Sequence, residues 1–264
     1  MPKSLYPTTL FHFTKSLDVL MSILDGEYFK ISFAREFVEG PSTRRSFAVP
    51  MVSFCDIRLT QLEEHTNSYG SYGIGLTKEW ADRKKMNPVI YMNKNNPSFD
   101  YYNNSLRVLR KELKQSKEKL KREPKLSTKM KENYAKLKKH YYEIREPLRY
   151  MKNYQGKLER KGKAPISNYI FANEREWRYL PDIIDNGHEF SIVQTTSIKD
   201  SKDEYNKKFE GVHLDFNHED VKYIIVKNEK DIYQITDFLR RKYNDNPNFI
   251  LHKILSMESV SNDM

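Results

Sequence analysis

LYPTTLFHFT, residues 5–14, is followed after one residue by SLDVLMSILD, residues 16–25, and this pair sets the class of fold. The first stretch is aromatic and β-branched, so it reads as a strand ending near Thr14. In the second, Leu17, Leu20, Met21 and Leu24 recur at helical spacing, with Ser16 as N-cap and Gly26 as stop. Working outward, EYFKIS (27–32), VPMVSFCDI (49–57), SYGIGL (71–76) and NPVIYMN (87–93) read as strands. Residues 34–48, with Gly40 and Pro41, read as a loop, and KEWADRKK starts a helix. Further on, NYIFANEREWRYLP (168–181) alternates, and HLDF and VKYIIVK add strands. EKDIYQITDFLRRKY (229–243) is an amphipathic helix, and NFILHKILS closes the sheet. Strands outnumber helices and do not alternate regularly with them. The expectation is an α+β fold around a mixed or mainly antiparallel sheet, in one domain covering 1–264.

The chain has 264 residues, 38% of them hydrophobic, which is enough for a sizeable core and argues against wholesale disorder. Lys plus Arg number 46 against 36 Asp plus Glu, a net charge of +10. One cysteine, Cys55, excludes a disulfide framework, and no apolar run is long enough to span a bilayer; a cytoplasmic, reducing setting is expected, with no membrane contact.

The basic excess is local. Residues 101–165 hold 21 Lys/Arg and 7 Asp/Glu, so the remaining chain is slightly acidic. Within that segment Leu106, Leu109, Leu113 and Leu120 step at heptad-like intervals with Ser116 filling the gap, and Met130, Tyr134, Leu137, Tyr141 and Ile144 do the same. Asn103 or Asn104 would cap the first helix and Ser127 or Thr128 the second, with Pro124 between them and Pro147 after. The pattern predicts an antiparallel helical hairpin inserted at about 101–150, its lysines facing outward. A solvated surface is the commoner fate of a charged helix, but this imbalance of sign favours anion binding. Tyr134, Tyr141, Tyr142, Tyr150 and Tyr154 lie among the lysines, so RNA or single-stranded DNA is the expected partner.

Three chemistries find little support. Gly73 and Gly75 give G-x-G without the third glycine of a dinucleotide loop, since Lys78 occupies its place. The seven histidines are scattered with no metal-ligand spacing, and Cys55 lies in an apolar strand, where a thiol is usually core. Three strand-end patterns remain. His12 and Thr14 in LFHFT share one side of a strand. Tyr69 and Tyr72 stand among Gly70, Gly73 and Gly75, which would let a flat ligand approach the backbone. Glu174 and Glu176 in EREWR share a face if the segment is extended; in a helix they would diverge by about 200°. Each has a bland alternative as a packing residue or a salt-bridged edge.

Taken in order, His-x-Thr, a tyrosine-bearing strand and E-x-E resemble the ADP-ribosyltransferase superfamily in its histidine–tyrosine–glutamate form. LFHFT, LMSIL, VPMVSFCDI, YGSYGIGLTKEWA, NPVIY and EREWRYLP together resemble the AbiGi-type abortive-infection family of bacterial phage-resistance proteins, over most of 5–95 and 168–226 with the hairpin as an insertion. The resemblance implies a toxin-like, NAD-dependent ADP-ribosyltransferase-like protein acting on a nucleic-acid acceptor. In it Glu176 would stabilise the cationic ribose centre and Glu174 orient the acceptor. His12 and Thr14 would bind the adenosine side, Tyr69 or Tyr72 stack on nicotinamide, Ser53 line the wall and Arg178 meet pyrophosphate. The same resemblance carries the alternative of a non-enzymatic antitoxin or regulator in a two-gene toxin–antitoxin system, and with it a cognate protein partner. A nuclease fits least, for want of an acidic metal cluster.

Overall fold

The computed structural model describes residues 7–62, 69–122, 128–159, 164–182, 191–244 and 246–262. Strand β1 (Thr9–Thr14) leads through Ser16 into helix α1 (Leu17–Gly26), where the serine side chain accepts from the Val19 N–H. Glu27, one residue past the expected stop at Gly26, takes the left-handed φ of 56° that ends the helix. Then come β2 (Tyr28–Lys30), β3 (Ser32–Glu39), β4 (Arg44–Cys55), β5 (Tyr72–Thr77) and α2 (Lys78–Arg83). Short β6 (Asn87–Pro88) and β7 (Ile90–Met92) precede the two hairpin helices, α3 (Ser98–Arg122) and α4 (Thr128–Arg145). After them lie β8 (Met151–Asn153), β9 (Gln155–Leu158), β10 (Ile166–Ile170), β11 (Glu176–Tyr179), β12 (Val193–Gln194), β13 (His213–Asp215), β14 (Val221–Val226), α5 (Glu229–Lys242) and β15 (Ile254–Ser256).

The main sheet runs β15-β14-β5-β1-β4-β11-β6, with β3 and β12 pairing elsewhere along the long β4. Its pairs are antiparallel except β14 with β15, so the chain is α+β with a mixed sheet. Two expectations are corrected. Residues 34–48 are not a loop: β3 and β4 form a hairpin in register from Ser32↔Met51 to Glu39↔Arg44. Glu36 and Val38 alternate inward despite the charged sequence, and Gly40 and Pro41 only turn the chain. Likewise NFIL (248–251) is a helical turn, and only Ile254–Ser256 joins the sheet.

The largest core lies between the sheet and the helices, with Leu10, Leu20, Leu24, Ile74, Trp80, Ile224 and Leu239 all buried. Complete burial of one such side chain stabilises by roughly 1.5–3 kcal/mol. A second cluster joins Val38, Phe47, Val49 and Met51 of the β3–β4 hairpin to Phe99, Leu106 and Tyr141 at the root of the helical hairpin. The helices leave after β7 and return before β8, two strands that pair in parallel. The first helix begins at Ser98, ahead of the expected caps; Asn103 is instead a buried helical residue accepting from Arg45 Nε at 2.9 Å. Pro124 and Ser127 lie outside the described residues. No helix among the described residues is long and apolar enough to cross a membrane.

Candidate functional site

Strands β1 and β4 are neighbours but pair at one position only, Phe11↔Cys55. Beyond it the sheet opens, and the His12 Nδ1–H bridges the gap to the Ser53 carbonyl at 2.9 Å. Burial lowers the His12 pKa, so the ring is neutral, with Nε2 as its acceptor. A cavity of about 230 Å³ occupies the opening. Its lining includes His12, Glu36, Ser53, Tyr69, Lys152, Glu174 and Glu176, drawn from β1, β3, β4, β8, β11 and two connecting segments.

Glu174 and Glu176 meet in this cavity by a route other than a simple strand. Phe171–Glu174 is a 3₁₀ turn, Arg175 takes a left-handed φ of 44°, and only then does β11 begin at Glu176. Lys152 Nζ sits between the two carboxylates, donating to Glu174 Oε2 at 2.7 Å and to Glu176 Oε2 at 2.8 Å. The Tyr69 hydroxyl donates to the other oxygen of Glu174. Gly70 fixes this tyrosine: its φ is 121°, and a Cβ there would collide with the Thr14 carbonyl. On the far side of Glu176, Arg178 is fully buried; its Nε donates to Glu176 at 2.7 Å, Nη2 to Glu36 at 2.5 Å and Nη1 to the Arg149 carbonyl at 2.8 Å.

The cluster therefore holds three carboxylates and two cations, nearly self-neutralising. Burial opposes ionisation of Glu176, but Arg178 and Lys152 overcome it and hold the carboxyl down at about 2. Glu36 goes the other way, raised by burial in spite of Arg178. For Lys152, burial works against the charge while Glu176, Glu36 and Glu174 raise its pKa well above the ordinary lysine value. Burial and then Glu174 raise the Tyr69 pKa, so the phenol keeps its proton.

Of the residues singled out in the sequence, His12, Ser53, Tyr69, Glu174 and Glu176 line this one cavity. Thr14 and Tyr72 do not. They are register partners where β1 ends and β5 begins, turned to other contacts: Thr14 Oγ1 donates to the Ser16 carbonyl at 3.1 Å and the Tyr72 hydroxyl to Asp231 Oδ2 at 3.1 Å. Arg178 is enclosed beneath Glu176, with no surface for a pyrophosphate. Nor do the glycines of β5 leave space for a flat ligand: the chain's own Phe13 and Phe11 rings lie over Gly73 and Gly75, 2.8 and 2.7 Å from where a Cβ would stand. The sequence reading missed Glu36 and Lys152. Glu36 was legible in the inward alternation of SFAREFVE, whereas nothing marks Lys152 among 46 basic residues.

Comparison with known proteins gives a consistent result. A family model described as "Putative abortive phage resistance protein AbiGi, antitoxin" matches residues 42–227, a span that includes the helical hairpin. The "Abortive phage resistance protein AbiGi" of Lactococcus lactis subsp. cremoris is 24% identical over 256 residues, covering 90% of this chain and 95% of that protein. No solved structure matches. With the family model covering well over half of its length, this chain belongs to the AbiGi family of abortive phage-resistance proteins.

Proposed function

We propose that this chain works by binding, as the restraining antitoxin or regulatory half of its phage-resistance system, and not by chemistry on NAD. One observation carries the reading: the Lys152 ammonium is seated between the carboxylates of Glu174 and Glu176. Cleaving a nicotinamide–ribose bond builds positive charge at the anomeric carbon, which an unneutralised carboxylate must stabilise. Here a fixed cation already stands there, and Arg178 takes the other side of Glu176. The antitoxin description of the family model supports the same reading and implies a cognate protein partner. The test is to express the chain with and without the product of the neighbouring gene. The expected result is a stable complex, relief of the partner's toxicity, and no release of nicotinamide from NAD by the chain alone. Toxicity of the chain by itself, relieved by the neighbour, would reverse the roles.

A second reading is ADP-ribosyl transfer from NAD to a nucleic-acid acceptor on an ADP-ribosyltransferase-like fold. It is favoured by the convergence of His12, Tyr69, Glu174 and Glu176 on one cavity at a break in the sheet. It requires Lys152 to leave the carboxylates when substrate arrives, freeing Glu176 for the ribose and Glu174 for the acceptor. Nicotinamide release that is lost in Glu174→Gln and in Tyr69→Phe, both of which leave the Glu176–Arg178 pair in place, would establish it.

A further inference from the structure

The charge of the helical hairpin has a side. Its seam of Leu106, Leu109, Leu113, Ser116 and Leu120 against Tyr134, Leu137, Tyr141 and Ile144 makes an antiparallel pair, in which the positions following each d residue of the two helices fall on the same flank. On that flank stand Arg110 and Lys117 with Lys114 beside them, and opposite them Lys131, Lys138 and Arg145. The other flank carries Ser105, Glu112, Lys119, Asn133 and His140, with Arg122, Lys129, Lys136 and Glu143 beside it, and is far less basic. The cationic flank continues onto the body of the protein at Arg45, whose pKa is lowered by burial and further by Arg110 and Arg107. Flanking positions of a helix pair commonly carry opposite charges that attract; here like charges face each other and weaken the pair. None of the six is in an ion pair among the described residues, although Arg145 donates to the Ser191 hydroxyl and packs over Tyr141 and Tyr142.

We infer that this flank of the hairpin is a docking surface for the phosphate backbone of double-stranded DNA. Charge complementarity requires a polyanion, and the neutral groups on and beside the flank select which one. A single strand would need aromatic platforms, but Tyr141 is buried in the seam and Tyr142 is covered by Arg145, 4.8 Å from its ring centre, and by Lys138. The most exposed hairpin tyrosine, Tyr101, lies off the flank. An RNA duplex is met largely at its 2′-hydroxyls, which calls for accessible hydroxyl and amide side chains; of those beside the six cations, Asn103 and Ser191 are buried and already accept from Arg45 and Arg145, and only Thr128 at the far end of the pair is exposed. Protein interfaces are poor in lysine and centre on apolar anchors, which this flank does not have. From Lys131 to Arg145 the row extends roughly 21 Å at 1.5 Å per residue, the length of several phosphates along a duplex. Such contacts neutralise phosphates without reading bases, so binding is sequence-independent.

The inference goes beyond the antitoxin reading and does not rest on it. Fluorescence anisotropy of the full chain with a labelled mixed-sequence 20-base-pair DNA duplex, between about 50 and 200 mM salt, tests it. Six phosphate contacts give a slope of log K against log salt of about −5. The triple variant Lys114→Gln/Lys117→Gln/Lys138→Gln should weaken binding at least about tenfold and reduce the slope by roughly 2.7. Lys119→Gln/Lys129→Gln/Lys136→Gln, off the flank, should change it less than about threefold, with circular dichroism showing both variants folded. Equal weakening by the two triples overturns the inference, as does tighter binding of the single strand or of an RNA duplex. Displacement of the duplex by polyglutamate at equal charge, pointing to an acidic protein, also overturns it, and so does the absence of binding at the lowest salt. Loss of the protein complex with the neighbouring gene product would leave the DNA result unaffected, so the two readings fail separately.

Discussion

The cavity cluster and the helical hairpin are both dense in charge, and they handle it in opposite ways. Around the cavity, each charge is inside hydrogen-bond reach of its opposite: Lys152 with Glu174 and Glu176, Arg178 with Glu176 and Glu36. On the hairpin, like charges are gathered on one flank with no carboxylate paired to them among the described residues. The first arrangement is internally complete, and disturbing it leaves a buried ion alone. The second is complete only when something else supplies the counter-charge. A count of Lys and Arg along the chain does not distinguish them; burial and pairing do.

The sharpest way to break this comparison is Arg178→Met. It strands Glu176 and Glu36 without their shared cation, and we expect a loss of about 3–5 kcal/mol in urea unfolding. A loss under 1 kcal/mol, typical of an exposed pair, would mean that the cluster is no more consequential than the surface. Acid titration comes next. The Glu176 pKa is depressed to about 2 from an ordinary 4.5, so the stability it contributes is complete above pH 4.5 and disappears as the pH falls toward 2. Glu36, being raised, contributes in the opposite sense and loses its share as the pH rises through its folded pKa. The Tm should therefore drop between pH 5 and 3, and less steeply in Glu176→Gln than in the wild type. Parallel curves would show that the two cations do not act on Glu176.

A smaller effect is expected from Gly70→Ala, which forces a side chain into the left-handed region and against the Thr14 carbonyl, for about 1–3 kcal/mol. Because it displaces Tyr69, it should also expose that phenol to titration near its ordinary pKa, read by ultraviolet absorbance. Smallest of all is Lys114→Gln/Lys117→Gln. It should leave unfolding stability within about 0.5 kcal/mol of wild type. Any gain from relieving repulsion should appear at low salt and vanish at high salt. A larger loss would place these lysines in a structural role and remove the contrast.

The hairpin was legible because heptad spacing and charge are local properties of the chain, and its seam residues Leu106 and Tyr141 are indeed buried, whereas Met130, expected in the same seam, is exposed. So were β1, α1, β5, β14 and α5, whose periodicities are unambiguous. The β3–β4 hairpin was not, because Gly40-Pro41 and the surrounding arginines and glutamates look like a loop while the inward alternation is carried partly by a charged residue, Glu36. That misreading also hid a member of the cavity. His12, Tyr69 and Glu176 could be singled out from their settings, but Tyr72 could not be separated from Tyr69, since three residues in a glycine-rich stretch decide between a bond to Glu174 in the cavity and one to Asp231 outside it. Lys152 is a long-range fact: it reaches the carboxylates because the chain returns from the hairpin onto β8.

The root of the hairpin is fixed with unusual care. Asp100, in the first turn of α3, accepts from the Ser42 N–H at 2.9 Å, the Thr43 N–H at 2.8 Å and the Thr43 hydroxyl at 2.6 Å, while Gly40 presses so close that a Cβ would meet the carboxylate. One side chain thus clamps the rod to the turn joining β3 and β4, the strands that carry Glu36 and Ser53 into the cavity wall. The rod is therefore pinned at its root and does not hang from a plain loop. The helical pair and the two strands thus share one footing, the four-residue turn from Gly40 to Thr43.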